Sequence, residues 1–214
     1  MTPELQSRQT RSLCQLAPVI PVIVIKDLAR AEGLAQALVT GGLPVLEVTL
    51  RSEVALDAIR AMSAVEGGHV GAGTVLTPDD AKRACDAGAR FAVSPGLTDR
   101  LIDACQEIGL PLLPGAVTAS EVMRAVDAGY DMLKFFPAEA VGGAPALKSL
   151  AGPLPKVSFC PTGGVTPKNA PDYLALPNVV CVGGSWIATD ADTGAGNWAA
   201  VQERASIAAG LTRA

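Results

Sequence analysis

The sequence predicts an α/β fold, a closed (β/α)8 TIM barrel forming one domain over residues 1–214, with a short helical segment at the N-terminus. Three observations predict it. Eight short apolar runs rich in β-branched residues recur along the chain, and their starts lie roughly 19 to 26 residues apart, the length of one strand, one short helix and two loops. The segments between them are rich in Ala, Leu and charge and carry helical periodicity. The runs are continuously apolar rather than alternating, as parallel strands buried on both faces require.

Each element has its own signal. The first run, Val19–Ile25, is followed by no Gly-rich dinucleotide fingerprint, which favours a closed barrel over an open doubly wound sheet. A helix follows through Leu34–Val39 and stops at Gly41-Gly42. The second run, Val45–Thr49, leads into helical Val54–Met62, with Gly67-Gly68 as the stop. After the third run, Val70–Ala72, Thr77-Pro78 supplies an N-cap with proline at the first helical position, and Gly88 ends that helix. Phe91–Ser94 and Leu110–Leu113 are the fourth and fifth runs, separated by a helix that ends at Gly109. Thr118-x-x-Glu121 is a capping box for the next helix, which Gly129 terminates. Met132–Phe136, Val157–Cys160 and Val179–Val182 complete the eight. Two units echo each other, Cys85-Asp-Ala-Gly88 before Ser94-Pro95 and Val126-Asp-Ala-Gly129 before Phe136-Pro137.

Composition removes several classes of function. With 17 basic and 21 acidic side chains the formal charge is −4, so no basic footprint for nucleic acid exists. A single histidine, His69, cannot supply a multi-histidine metal site, and no metal or other cofactor is expected. Aromatic residues make up 4% of the chain, which leaves few platforms for stacking bases or sugars. The five cysteines are odd in number and widely spaced, with no C-x-x-C pair, which argues against a disulfide framework and for a reducing compartment. Cys160 and Cys181 lie in apolar runs, where a free thiol behaves as a small core residue. The most apolar stretch, Leu16–Ile25, falls short of the roughly 20 residues a membrane span needs. The N-terminus carries Glu4 and no convincing cleavage site, so the expected location is the cytoplasm, with no membrane partner.

Polar residues inside the apolar runs point to chemistry. In the second run, period-two alternation puts Glu47, Thr49 and Arg51 on one face and Leu46, Val48 and Leu50 on the other. Three polar residues on one face do not make an ordinary core layer, although a structural ion pair between Glu47 and Arg51 is the plainer explanation. Lys134 stands mid-run in Met132-Leu-Lys-Phe-Phe136, where enclosure by apolar side chains favours the neutral amine, the nucleophile that converts a ketone to a Schiff base. The nearest competitor, Lys26, is followed at once by Asp27 and reads as a loop residue. The last two runs end in Pro161-Thr162-Gly163-Gly164 and Val182-Gly183-Gly184-Ser185, glycine pairs at the positions where many barrels bind phosphate. Gly71-Ala-Gly73-Thr74 adds a hydroxyl and two small residues that leave room for a substrate.

These segments, together with Ser94-Pro-Gly96, Lys134-Phe-Phe-Pro-Ala-Glu139 and Phe159-Cys-Pro-Thr-Gly-Gly164, resemble the 2-keto-3-deoxy-6-phosphogluconate (KDPG) aldolases. That class I family is also described as 4-hydroxy-2-oxoglutarate (KHG) aldolases. The resemblance runs in order from about Ala17 to Ser185. It implies a (β/α)8 barrel, a homotrimer, and a place in the Entner–Doudoroff pathway, with a phosphorylated keto acid and pyruvate as ligands. Carried over, it makes Lys134 the imine-forming residue and Glu47 the general acid/base, with Arg51 and Thr74 at the carboxylate. It also puts Gly163, Gly164, Gly184 and Ser185 at the phosphate, and Pro95 and Phe136 against the substrate. Thr162 is suited to a hydroxyl of the aldehyde half, and Glu139 is the second choice for the base. The chain departs from the family pattern at Val141 and at Ala116-Val117, in loops above the barrel. The alternatives are an aldolase for the 6-phosphogalactonate epimer or for 4-hydroxy-2-oxoglutarate and, in another class, a phosphate-binding barrel isomerase or epimerase that uses Glu47 without covalent chemistry.

Overall fold

Parallel strands alternate with helices along the computed structural model, in which residues 1–213 are described. The strands are β1 (Val19–Ile23), β2 (Val45–Thr49), β3 (His69–Gly73), β4 (Ala92–Val93), β5 (Leu112–Leu113), β6 (Met132–Phe135), β7 (Ser158–Pro161) and β8 (Val182–Gly184). The helices are α1 (Pro3–Cys14), α2 (Ala31–Thr40), α3 (Ala55–Met62), α4 (Pro78–Asp86), α5 (Asp99–Ile108), α6 (Ala119–Asp127), α7 (Gly143–Ala151), α8 (Ala170–Leu174), α9 (Asp190–Ala195) and α10 (Trp198–Ala209).

Six strands form one parallel sheet in the order β5-β4-β3-β2-β1-β8, and β6 pairs with β7. Two seams join these pieces into a ring. At the first, Lys134 N–H donates to Pro114 O at 2.8 Å and Ala116 N–H to Lys134 O at 2.9 Å. At the second, Val180 N–H donates to Phe159 O at 3.0 Å, and Thr162 bridges Gly183. The expected barrel is therefore present, with β2 and β6 on opposite sides of it.

Burial follows the alternation read from the sequence. Inward-facing Ile20, Val45, Phe91, Val93, Leu113, Met132, Cys160 and Cys181 pack with Cys14 into a plug inside the ring. Outward-facing Leu46, Val48, Leu133, Phe135 and Phe159 join the larger core between strands and helices. There Phe135 and Phe159 meet edge to face, centroids 6.2 Å apart, an arrangement that contributes about 0.5–1.5 kcal/mol beyond area burial. The expected N-terminal helix, α1, closes the lower end of the barrel through buried polar groups. Gln6 Oε1 accepts from Leu112 N–H and from the Tyr130 hydroxyl, and Ser7 Oγ accepts from Met132 N–H.

Several boundaries differ from the sequence expectation, for local reasons. The fourth and fifth strands have two residues each, where runs of four were expected. Leu110 N–H turns back to Cys105 O, Pro111 has no N–H to donate, and the Ser94 hydroxyl bonds Gly96 O in a turn. The eighth strand starts at Val182 rather than Val179, because Val179 N–H closes a turn on Leu176 O. Helix α3 ends at Met62, as expected, and the chain from there to Gly67-Gly68 runs through the turns Ala64 N–H to Ala61 O and Val65 N–H to Met62 O. The expected Thr118–Glu121 capping box forms, and the expected Thr77 N-cap forms a capping box of its own with Asp80.

Candidate active site

Inward positions on β2 and β6 face each other across the ring, and each carries an ionisable side chain. Lys134 Nζ donates to Glu47 Oε1 at 3.1 Å, and the two residues are 6% and 4% exposed. A charge this deeply buried is tolerable only when paired, so each group depends on the other. The apolar plug lies beneath them, which sets the pair towards the C-terminal ends of the strands, the face on which barrel enzymes carry their chemistry. A side chain at Gly73 would fall on the Glu47 carboxylate. The space left by that glycine is filled by Glu47, where the sequence suggested room for a substrate.

Arg51 does not pair with Glu47, contrary to the plainer reading of strand two. Its Nε donates to Thr49 Oγ1 at 3.2 Å, and the buried Thr49 hydroxyl in turn donates to Ile23 O at 2.9 Å. Thr49 thus braces an exposed guanidinium at the rim of the barrel, a role that its shared face with Glu47 and Arg51 signals only in outline. Thr74, one residue past β3, has φ 59°, an uncommon left-handed conformation for a β-branched residue that costs about 1–3 kcal/mol. Such strain collects at functional rims.

The remaining expected residues also lie at the upper ends of strands. Phe136 follows β6, and its ring centroid lies 5.2 Å from Lys134 Nζ, within cation–π range. Pro95 is exposed in the loop after β4. Thr162 is buried directly after β7, beside Gly183. Gly163 and Gly164 both adopt left-handed backbone, with φ 96° and 79°. Gly184 is the buried last residue of β8 and Ser185 is exposed beyond it. Among the described residues, no acceptor meets the backbone N–H of Gly164 or of Ser185.

Competing residues are engaged elsewhere. Lys26 is exposed and pairs with Asp190 at 2.6 Å, linking the loop after β1 to the start of α9. His69 lies at the opposite, N-terminal end of β3, 3.0 Å from Arg90, and burial together with that cation holds its affinity for a proton below the usual value. The Glu139 carboxylate accepts from the hydroxyl of buried Tyr173 and makes no contact with Lys134. Burial, reinforced by Glu139, pushes the Tyr173 hydroxyl well above its ordinary pKa. Nothing in the sequence marks Tyr173, which sits in a short helix and is buried like any core aromatic.

Comparison with known proteins fits this geometry. The family model described as KDPG and KHG aldolase matches residues 10–204. A 2-dehydro-3-deoxy-phosphogluconate aldolase from Pseudoalteromonas atlantica is 51% identical over 192 residues, 89% of each chain. The crystal structure of the 2-keto-3-deoxy-6-phosphogluconate aldolase of Zymomonas mobilis with 3-phosphoglycerate superposes with a TM-score of 0.92 at 49% identity, over 97% of this chain and 98% of that one. A KDPG aldolase from Legionella pneumophila, with pyruvate captured as a covalent carbinolamine, superposes with a TM-score of 0.90 at 47% identity, over 93% and 97%. With a family model spanning most of its length and a relative at this identity, the chain belongs to the KDPG and KHG aldolase family.

Proposed function

We propose that this chain is a class I aldolase that cleaves 2-dehydro-3-deoxy-6-phosphogluconate to pyruvate and glyceraldehyde 3-phosphate through a Schiff base on Lys134. The observation that carries the reading is the buried contact between Lys134 Nζ and Glu47 Oε1. An amine and a carboxylate in hydrogen-bond reach can exchange a proton, and every step of an imine aldolase requires one. Glu47 accepts a proton from Lys134, and the neutral amine attacks C2 of the keto acid. Glu47 returns the proton to the carbinolamine hydroxyl, water leaves, and a cationic imine forms. That cation draws in the electron pair of the C3–C4 bond while Glu47 takes the proton of the C4 hydroxyl. The aldehyde departs, the enamine accepts a proton at C3 from Glu47, and hydrolysis of the imine frees pyruvate and Lys134. The carbinolamine of pyruvate in the Legionella relative supports the same first step here.

In this reading Arg51, braced by Thr49, binds the planar carboxylate with Thr74 beside it. Pro95 and Phe136 wall the keto acid, Thr162 bonds a hydroxyl of the aldehyde half, and the phosphate lies against Gly163, Gly164, Gly184 and Ser185. The family description also names KHG, and 4-hydroxy-2-oxoglutarate lacks a phosphate, so it would use the same imine chemistry without the glycine loops. Cytoplasmic location and assembly as a homotrimer belong to the same proposal. Met123 and Val126, one turn apart on α6 and exposed, support a surface that a second copy would cover. Among the described residues no helix is long and apolar enough to cross a membrane.

The direct test is turnover. The protein should release pyruvate from 2-dehydro-3-deoxy-6-phosphogluconate, followed with lactate dehydrogenase, and Lys134→Ala should release none. Undiminished turnover by that variant would remove Lys134 from the mechanism.

A further inference from the structure

Two loops are tied together beside the glycine pair, and a carboxylate that the chemistry does not use lies at the centre of the tie. In the loop after β6, Ala138 N–H donates to Thr162 O at 2.8 Å and Glu139 N–H donates to Gly163 O at 3.0 Å. The Thr162–Gly163 and Gly163–Gly164 peptide units are planar and trans, so in each the carbonyl and the N–H that follows it point in opposite directions. Fixing the carbonyls of Thr162 and Gly163 therefore fixes the aim of the N–H groups of Gly163 and Gly164. The stem of Glu139 lies flat on Gly164, where an added Cβ would sit 2.6 Å from both Cβ and Cγ of Glu139. Its carboxylate is anchored in turn by the hydroxyl of Tyr173, a fully buried residue of α8. From the other side, Asn169 Nδ2 donates to Gly164 O at 3.2 Å.

We infer that Tyr173 and Glu139 are positioning residues that hold the Gly163–Gly164 loop with its amides aimed for a phosphate, and so set the preference for phosphorylated over unphosphorylated substrate. The inference rests on the phosphate site proposed above. Hydrogen bonds to an anion are directional, so a few tenths of an ångström of loop freedom weakens them. The pair lies outside the Lys134–Glu47 contact, so its loss leaves the imine chemistry intact.

The test compares 2-dehydro-3-deoxy-6-phosphogluconate with its unphosphorylated counterpart in steady-state kinetics. Tyr173→Phe removes the anchor while keeping the ring. It should raise KM for the phosphorylated substrate about tenfold, the equivalent of one lost hydrogen bond to a charged group. Its kcat, and both constants for the unphosphorylated substrate, should stay within about twofold of wild type. Glu139→Gln, whose amide oxygen still accepts from Tyr173, should remain close to wild type, and Glu139→Ala should match Tyr173→Phe. If Tyr173→Phe does not fold, Glu139→Ala supplies the same comparison. Equal losses on both substrates, or a wild-type preference for phosphate that both variants retain, overturn the positioning role alone. A wild type indifferent to the phosphate overturns the phosphate site, and the inference with it.

Discussion

Glu47 and Lys134 illustrate how a costly residue becomes a useful one. Burying either alone would be strongly destabilising, whereas together they form a contact that can pass a proton in either direction. Glu47→Gln keeps the shape and a hydrogen bond to Lys134 but can neither take nor return that proton. We expect its kcat to fall by about 10²–10⁴-fold, with the fold retained by circular dichroism. A kcat within a few-fold of wild type would move the acid/base role to another group. Both residues were legible in the sequence because each breaks an apolar strand pattern that has no structural use for a charge. Their mutual contact was not legible, since Arg51 is closer in sequence and equally suited to pair with Glu47. The choice between the two cations is made by the ring, which brings β6 opposite β2 and carries Arg51 past the rim to Thr49.

The elements most faithfully foretold are those whose signals are local. The Thr118–Glu121 box is one: Glu121 Oε2 accepts from the N–H groups of Thr118 and Val117 at 2.8 and 2.9 Å. The backbone N–H groups of Thr118 and Val117 hold its carboxyl below the ordinary value. A lowered carboxyl pKa stabilises the fold above the unfolded group's pKa, and that contribution fades as pH falls through the lowered folded value. Glu121→Gln should therefore be less stable than wild type at neutral pH, and the gap should close in acid, as read by urea unfolding at several pH values. A gap independent of pH would detach the effect from ionisation. Strand ends were harder to read than helix caps. At Leu110 and Val179 they are decided by where a backbone N–H finds its acceptor, and nothing in the apolar pattern marks that point. Tyr173 was invisible for a related reason: its hydroxyl partner lies 34 residues away, in the segment after β6.

At the scale of the molecule, the ring holds the Lys134–Glu47 pair at its upper end and α1 seals its lower end. The seal is polar: Ser7 Oγ donates to Asp131 Oδ1 at 2.7 Å and accepts from the N–H groups of Asp131 and Met132 at 3.0 and 2.8 Å. Ser7→Ala leaves the buried Met132 N–H without a partner and should cost about 1–3 kcal/mol of stability, seen as a lower Tm, while kcat is retained. A parallel loss of kcat would mean that α1 shapes the active site as well as closing the barrel. The eight repeating units made the barrel legible, but the role of α1 rests on three buried polar residues, Gln6, Ser7 and Thr10, which composition alone would assign to a surface. In the proposed mechanism the ring holds a nucleophilic lysine at the mouth of a sealed barrel. The measurement that tests this most directly is borohydride reduction in the presence of pyruvate, followed by peptide mass mapping. Irreversible loss of activity and a single reduced pyruvyl adduct on Lys134 are expected. A protein that stays active and unmodified, or an adduct on Lys26 instead, would contradict that mechanism.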